Sequence, residues 1–350
     1  MPRICAAGDR LWSDGCSRPV WNAASSRFSV VAATGAIVER GTERETISAR
    51  QGVILATGGF EWNDALKHAF LRGPLDAPAS PPTNQGDGLK MAMAAGAGLG
   101  NMTSAWWVPT LAIPEAQWQT GETRNMPVLI ERTLPHGMLV NRDGKRFCNE
   151  AANYSALAGA FHAFDPATYA YPNLPAYLIF DSQYRERYPL SSFMPGTPLP
   201  EWVAQADTLE ELAAQIEVDA ENLTATIDRF NEQADQLDDQ DFGRGKTDYD
   251  RFYGDRSREG AGATLGSLSK APYYAVEIRM GALGTNGGAK TNAQAQIVDV
   301  DGQPIAGLFG AGNVISAPTG SVYAGAGGTL GPALTFGYIA GRAAAKRINQ

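Results

Sequence analysis

The sequence predicts an α/β domain with a parallel sheet, interrupted by an inserted α+β segment. Three stretches carry that prediction. Near the C-terminus, Gly302-Gln303-Pro304-Ile305-Ala306-Gly307-Leu308-Phe309-Gly310-Ala311-Gly312-Asn313 reads as a short apolar strand ending in Gly-Ala-Gly, and a second glycine run from Gly325 to Gly331 opens a helix expected from Pro332 to Arg347. Glycine has no Cβ, so backbone can approach a flat or phosphorylated ligand there. Upstream, Gln51 to Thr57 contains Val53-Ile54-Leu55-Ala56 and reads as a buried strand ending in Gly58-Gly59. Open α/β sheets bind ligands at the carboxyl ends of such strands. From residue 106 to 270, a hairpin and two capped helices replace the strand–helix alternation.

The elements follow in order. Residues 1–32 show neither helical nor strand periodicity and stay unassigned. Ala36-Ile37-Val38-Glu39 and Glu45-Thr46-Ile47-Ser48-Ala49 flank a turn at Gly41 and predict a hairpin. A proline-rich loop, Pro74 to Pro82, leads to Gly86-Asp87-Gly88, where Asp87 is expected to cap a helix running from Gly88 to Gly98. Trp106, Trp107 and Trp118 stand among prolines and read as a long loop, lining an apolar pocket or filling core. His136 to Val140 is a strand, Asn141-Arg142-Asp143-Gly144 a hairpin turn, and Tyr177 to Phe180 another strand. Thr208-Leu209-Glu210-Glu211 is a capping box opening a helix to about Ile216. Asp219 caps the next helix, with Leu223, Ile227 and Phe230 on one face. The acidic stretch from Asp235 to Asp250 reads as a solvated loop, and Tyr273 to Ile278 as the strand that re-enters the first domain. The expected organisation is therefore 33–105 with 271–350 as one domain and 106–270 as its insert.

Composition narrows the function classes. Among 350 residues, 37 acidic and 29 basic side chains give a net charge of -8, which disfavours nucleic acid and anionic lipid as partners. Cys5, Cys16 and Cys148 form no C-x-x-C pair, and His68, His136 and His162 are scattered, so no metal site is expected. Few, unpaired cysteines suit the cytoplasm. No apolar run reaches the ~20 residues of an integral membrane segment.

The glycine-rich motifs carry a resemblance. The C-terminal strand, Ala311-Gly312-Asn313, the glycine run and the helix resemble the signature of the fumarate reductase/3-ketosteroid dehydrogenase family of FAD enzymes. Ala56-Thr57-Gly58-Gly59-Phe60, Gly86-Asp87-Gly88, Asn141-Arg142-Asp143-Gly144-Lys145-Arg146-Phe147 with Asn149-Glu150, and Gly284-Thr285-Asn286-Gly287-Gly288 resemble further motifs of that family, in its order. The resemblance covers about residue 33 to the end. It implies FAD as cofactor, held by Thr57, Gly58, Gly59, Asp87, Gly88, Gly312, Asn313, Gly328, Leu330 and Gly331. In the family, the helix start faces the pyrimidine edge of the flavin. By chemistry alone Asp87 remains a helix cap.

The resemblance also implies a reaction: removal of hydrogen from a C–C bond beside a ketone. Fumarate reductases hold carboxylates with His and Arg, but here the loop before the last helix carries Ser321-Val322-Tyr323 and no Arg. That favours the 3-ketosteroid dehydrogenase branch and an apolar small-molecule substrate. In that branch a tyrosine and a glycine N–H hold the substrate carbonyl, which carries over to Tyr323 and Gly327. A cap tyrosine removes the proton, which carries over to Tyr154.

The family's N-terminal βαβ unit is missing. No Gly-x-Gly here has a glycine three residues further on, so there is no G-x-G-x-x-G fingerprint. The expectation is a truncated, split or frame-shifted product that holds FAD weakly. Its alternatives are a fumarate reductase-like enzyme for small unsaturated acids, an inactive fragment, or a subunit completed by a partner chain that supplies the FAD-binding unit.

Overall fold

The computed structural model describes residues 32–40, 42–323 and 325–347. The unassigned segment 1–32 lies almost wholly outside them. The described chain forms two compact units. The first holds the chain up to Arg72, Ser80–Trp106 and the chain from Gly284 onward; the second holds Gly73–Ala79 and Trp107–Leu283.

In the first unit, β1 (Gly35–Arg40) and β2 (Glu43–Ser48) form the expected antiparallel hairpin, Gly35 opposite Ser48. β3 (Val53–Leu55) follows, shorter than the sequence suggests, and Ile54 is 40% exposed rather than buried. α1 (Asp64–Phe70) starts at Asn63, whose Oδ1 accepts the Leu66 N–H at 3.0 Å. α2 (Asp87–Ala94) corrects the expected cap: Gly86, at φ +75°, is the N-cap and Asp87 is the first helical residue. A left-handed cap position favours glycine, which displaces the side-chain capping geometry from Asp87. β4 (Leu99–Gly100) closes this passage.

The second unit takes in Gly73–Ala79 and β5 (Ala105–Gln117) from Trp107 onward; this strand replaces the expected loop. Trp106 and Trp107 are buried on it, so they fill core. The β-forming Val, Thr, Leu and Ile residues between the prolines outweigh the loop signal. β6 (Thr123–Pro127), β7 (Gly137–Val140) and β8 (Ala176–Asp181) precede β9 (Ala204–Ala206), and α3 (Ala158–Phe161) and α4 (Ser182–Arg187) lie among them. α5 (Leu209–Gln215) is capped by Thr208 at 3.2 Å, and α6 (Ala220–Asp235) by Asp219 at 2.7 Å. α7 (Asp248–Phe252) and β10 (Tyr273–Thr285) complete the run. The sheet order is β6-β5-β10-β8-β7, with β9 also on β10. Leu223, Ile227 and Phe230 pack with Met138, Val140, Ile179 and Leu212 in one core. Burying such a face is what holds a helix of this length in place. The chain leaves this unit later than the sequence reading has it. β10 pairs antiparallel with β8 from Tyr273 opposite Asp181 to Ile278 opposite Ala176, so residues up to Leu283 stay with this sheet.

Back in the first unit come β11 (Gly288–Ala289), β12 (Gln296–Val298), β13 (Pro304–Gly310) and α8 (Leu330–Lys346). β13 pairs parallel with β3, Leu308 opposite Val53 and Gly310 opposite Leu55. The two glycine-ended strands thus lie side by side and end at the same edge. Leu55, Ala92, Ile297, Leu308, Val314 and Ile315 form the core around them. The small residues of α8 pack unevenly. Ala340 and Ala344 are buried against Phe309 and Ala295, whereas Gly341 has nothing near it. Leu334 and Tyr338 are 75% and 65% exposed.

Candidate functional site

The shared carboxyl edge of β3 and β13 gathers most of the residues the sequence singles out, in two groups of glycines. In the group after β3, added side chains would collide with protein. A Cβ on Gly58 would meet the Asn84 amide, one on Gly59 the Glu61 carboxylate and Thr285 hydroxyl, and one on Gly88 the Thr57 hydroxyl and Val314. Thr57 Oγ1 accepts the Gly88 N–H at 3.2 Å. Packing therefore accounts for glycine at these positions. Asp87 sits 3.7 Å from the Lys90 ammonium.

Glu61 is a residue that sequence reasoning missed. It is fully buried without a cationic partner. Its Oε1 accepts from Ser80 Oγ at 2.7 Å and Asn84 Nδ2 at 2.6 Å, and Oε2 from the Thr285 N–H at 3.2 Å. Three donors therefore satisfy the buried carboxyl. It ties the loops after β3 to the glycine loop after β10. Its only sequence signal was an acidic residue directly after a glycine-ended strand.

In the group around α8 the glycines face open space. Gly312 sits at φ +75°, where an added Cβ would come only within 3.6 Å of Ala333 Cβ; Gly327 sits at φ +89°, and a Cβ there or at Gly331 would meet nothing within 4 Å among the described residues. Asn313 Oδ1 accepts from Trp106 Nε1 at 3.1 Å. The Trp106 ring lies 5.0 Å from the ring of Tyr323, tilted by 47°. Tyr323 is 8% exposed, and Gly328 lets its ring pack against the backbone. Tyr323, Gly327, Gly328, Gly312 and Asn313 thus lie in one unit around the start of one helix.

The helix start itself differs from expectation. The Gly331 N–H donates to the Gly327 carbonyl at 2.8 Å, because the glycine run already coils into a turn ahead of α8. Pro332 has no N–H to offer. Thr329, the N-cap, makes no side-chain cap bond. A narrow cavity of about 10 Å³ lies between Trp106, Asn286, Gly312, Gly328, Thr329 and Pro332. That is room for about one polar group.

In the second unit Tyr154 is only 2% exposed. The Asn149-Glu150 motif beside it is a buried ionic clamp. Arg146 holds Glu150 and Asp239, each at 2.8 Å, and Arg244 reaches Glu150 at 3.2 Å. Burial pushes the Glu150 carboxyl up, but Arg146 and Arg244 outweigh it and hold the group below the ordinary carboxylate range. Burial likewise opposes Asp239, which Arg146 brings down to about 2. Burial pushes the Cys148 thiol up, which makes it inert, and brings Arg132 down to about 10. This corrects the reading of 235–250 as a solvated loop: Asp239, Arg244 and Asp250 are buried because their charges pair or hydrogen-bond internally.

Residues 23–330 match the FAD binding domain family. The chain belongs to that family. The match begins within the segment left unassigned by the sequence reading, so part of 1–32 aligns with the family after all. A 4-oxocyclohexanecarboxylate 2-dehydrogenase of Sinomonas cyclohexanicum is 45% identical over 88% of this chain and 53% of its own length. A 3-oxosteroid 1-dehydrogenase of Mycobacterium tuberculosis is 40% identical over 85% of this chain and 53% of its own. The crystal structure of 3-ketosteroid delta1-dehydrogenase from Sterolibacterium denitrificans, in complex with 1,4-androstadiene-3,17-dione, matches with a TM-score of 0.82 at 37% identity, over 89% of this chain and 56% of that one. The chain spans about half the length of these relatives.

FAD is the cofactor of this FAD binding domain family, and the open glycines fit one end of it. The backbone at Gly312, Gly327 and Gly331 leaves free the space a Cβ would fill, which a planar ring needs for close approach. The cavity beneath is too small for a ring system and takes an edge group at most. No helix among the described residues is long and apolar enough to cross a membrane.

Proposed function

We propose that this chain carries the flavin-ring and substrate portion of an FAD-dependent dehydrogenase that desaturates a C–C bond beside a ketone. The observation that carries this reading is Tyr323, packed on Trp106 and against Gly328 at the start of α8, next to the open backbone of Gly327. FAD, when bound, supplies the hydride acceptor. Gly312, Asn313, Gly327, Gly328 and Leu330 are the residues that would hold its ring end. The Tyr323 hydroxyl and the Gly327 N–H donate to the substrate carbonyl as enolate charge develops on its oxygen. Tyr154 takes the proton from the carbon beside that carbonyl. The unit that carries β3, β13 and α8 serves the cofactor, and the unit that carries β8, β10 and α6 contributes Tyr154.

The substrate class is a cyclic ketone. The relatives named for 3-oxosteroids and for 4-oxocyclohexanecarboxylate support a ring carbonyl and leave the size of the ring system open. Loop 318–331 offers no Arg to clamp a small diacid such as fumarate. The family's dinucleotide-binding unit would complete the FAD site, and the cytoplasm is the compartment this chemistry suits. The test is turnover after co-expression with a family N-terminal unit. Dye should be reduced with a 3-keto-4-ene steroid or with 4-oxocyclohexanecarboxylate, and fumarate should not oxidise reduced dye. Fumarate turnover with both ketones inert would overturn the reading.

A further inference from the structure

We infer that Asn286 is a positioning residue for Tyr323, and this rests on the role proposed for that tyrosine. Asn286 is 1% exposed. It grips the turn 317–320 at both ends. Its carbonyl accepts the Ala317 N–H at 3.0 Å, and its Nδ2 donates to the Gly320 carbonyl at 3.3 Å. The turn closes on itself through the Gly320 N–H and Ala317 carbonyl at 3.0 Å, with Gly320 at φ +68°. Tyr323 leaves this turn and meets Trp106, and the Asn286 N–H donates to the Ser104 carbonyl at 3.4 Å, one residue ahead of the strand that carries Trp106. One residue therefore links the turn that presents Tyr323 to the strand that carries its ring partner.

The amide does this, rather than its bulk. A carbonyl only accepts, so the nitrogen must face Gly320. The other end, Oδ1, has no hydrogen-bond partner. A buried amide with an orphaned oxygen is a costly way to fill space, and an apolar residue would fill it without that cost. Among the described residues, the one hydrogen bond the side chain's polar atoms make is the donation to Gly320.

Asn286→Asp isolates that donation, since it keeps the shape and replaces the donor by an acceptor. A carboxylate cannot donate to Gly320, but a protonated carboxyl can, and burial raises the pH at which the proton returns. The probe is the near-ultraviolet circular dichroism of the Trp106–Tyr323 pair, taken as the difference from a Trp106→Phe background. Glu61, whose carboxyl accepts the N–H of the adjacent Thr285, and Lys290, four residues further on, are the charged groups beside this position, and the unsubstituted chain is their control. The expected profile is flat for the unsubstituted chain. It should fall by more than half for Asn286→Asp at pH ~8 and recover on acidification to pH ~5. Asn286→Ala, which brings no charge, should lose the signal at every pH with its far-ultraviolet spectrum unchanged. In co-expressed enzyme, Asn286→Ala should lower kcat about ten- to a hundredfold with KM little changed. A full signal in Asn286→Ala, or an Asn286→Asp profile that is flat or fails to recover, overturns the inference. If the optical profile holds while Tyr323→Phe keeps normal turnover, Asn286 still positions the ring and it is the catalytic role of Tyr323 that falls.

Discussion

Replacing Glu150 by Ala should destabilise the protein by roughly 3–5 kcal/mol, the usual cost of breaking a buried ion pair from one side. The figure follows from what the side chain satisfies. Glu150 accepts from Arg146 Nε and Nη2, each at 2.8 Å, from Arg244 Nη1 at 3.2 Å and from the Leu139 N–H at 3.1 Å. Without it Arg146 still has Asp239, at 2.8 and 3.0 Å. Arg244 is left buried with only the carbonyls of Gly137 and Leu134, each at 2.8 Å. The loss is thus one uncompensated cation and half the partners of a second. Asp239→Asn should cost less, about 2 kcal/mol, because both arginines keep Glu150 and the amide retains one acceptor. Urea unfolding followed by circular dichroism, with midpoints compared at constant slope, measures both. A Glu150→Ala loss below about 1 kcal/mol, or a larger loss for Asp239→Asn, would refute the reasoning that charge compensation holds the second unit together.

Three further outcomes follow from the same residues. The carboxyls of Glu150 and Asp239 are held below their unfolded values, so their stabilisation is full above about pH 5 and is lost as pH falls through the depressed values, toward about 2 for Asp239; unfolding midpoints between pH ~7 and ~2.5 check this, and stability that rises over that acid range would contradict it. In co-expressed enzyme Tyr323→Phe should lower kcat by roughly two to three decades at unchanged flavin content, the usual loss of one oxyanion donor, as steady-state dye reduction will report. The chain alone should lose FAD on gel filtration, because no fingerprint grips the pyrophosphate; a stoichiometric flavin spectrum that survives the column would reverse that expectation.

What could be read from the sequence was what local chemistry decides. Thr208 and Asp219 cap their helices because a short oxygen-bearing side chain before an amphipathic run has few other roles. Leu223, Ile227 and Phe230 share a face because spacing fixes it. What escaped depends on partners far along the chain. Asp239 and Arg244 look solvated in a row of acids, and only the return of Arg146 and Glu150 to the same place makes them core. Trp106 reads as loop because proline dominates its neighbourhood, yet β5 is held by strands on either side. Near the candidate site, the second glycine run was legible as the opening of a helix, whereas Tyr323 entered through the family resemblance. Glu61 and Asn286 were not legible, because each acts only by joining segments distant in sequence.

The parallel pairing of β3 with β13 also sets an order of assembly. Val53 and Leu308 are neighbours in the ladder, yet the whole inserted unit lies between them in the chain. Closing so long a loop is entropically slow and is rewarded only when both strands arrive. β7 with β8, and α5 with α6, meet across far shorter stretches. The insert can therefore gain its contacts first and shorten the effective distance between the two strands. The edge where the open glycines gather is then the last part of the chain to form and the first to open, so protection of its amides against hydrogen exchange should trail that of the ionic clamp.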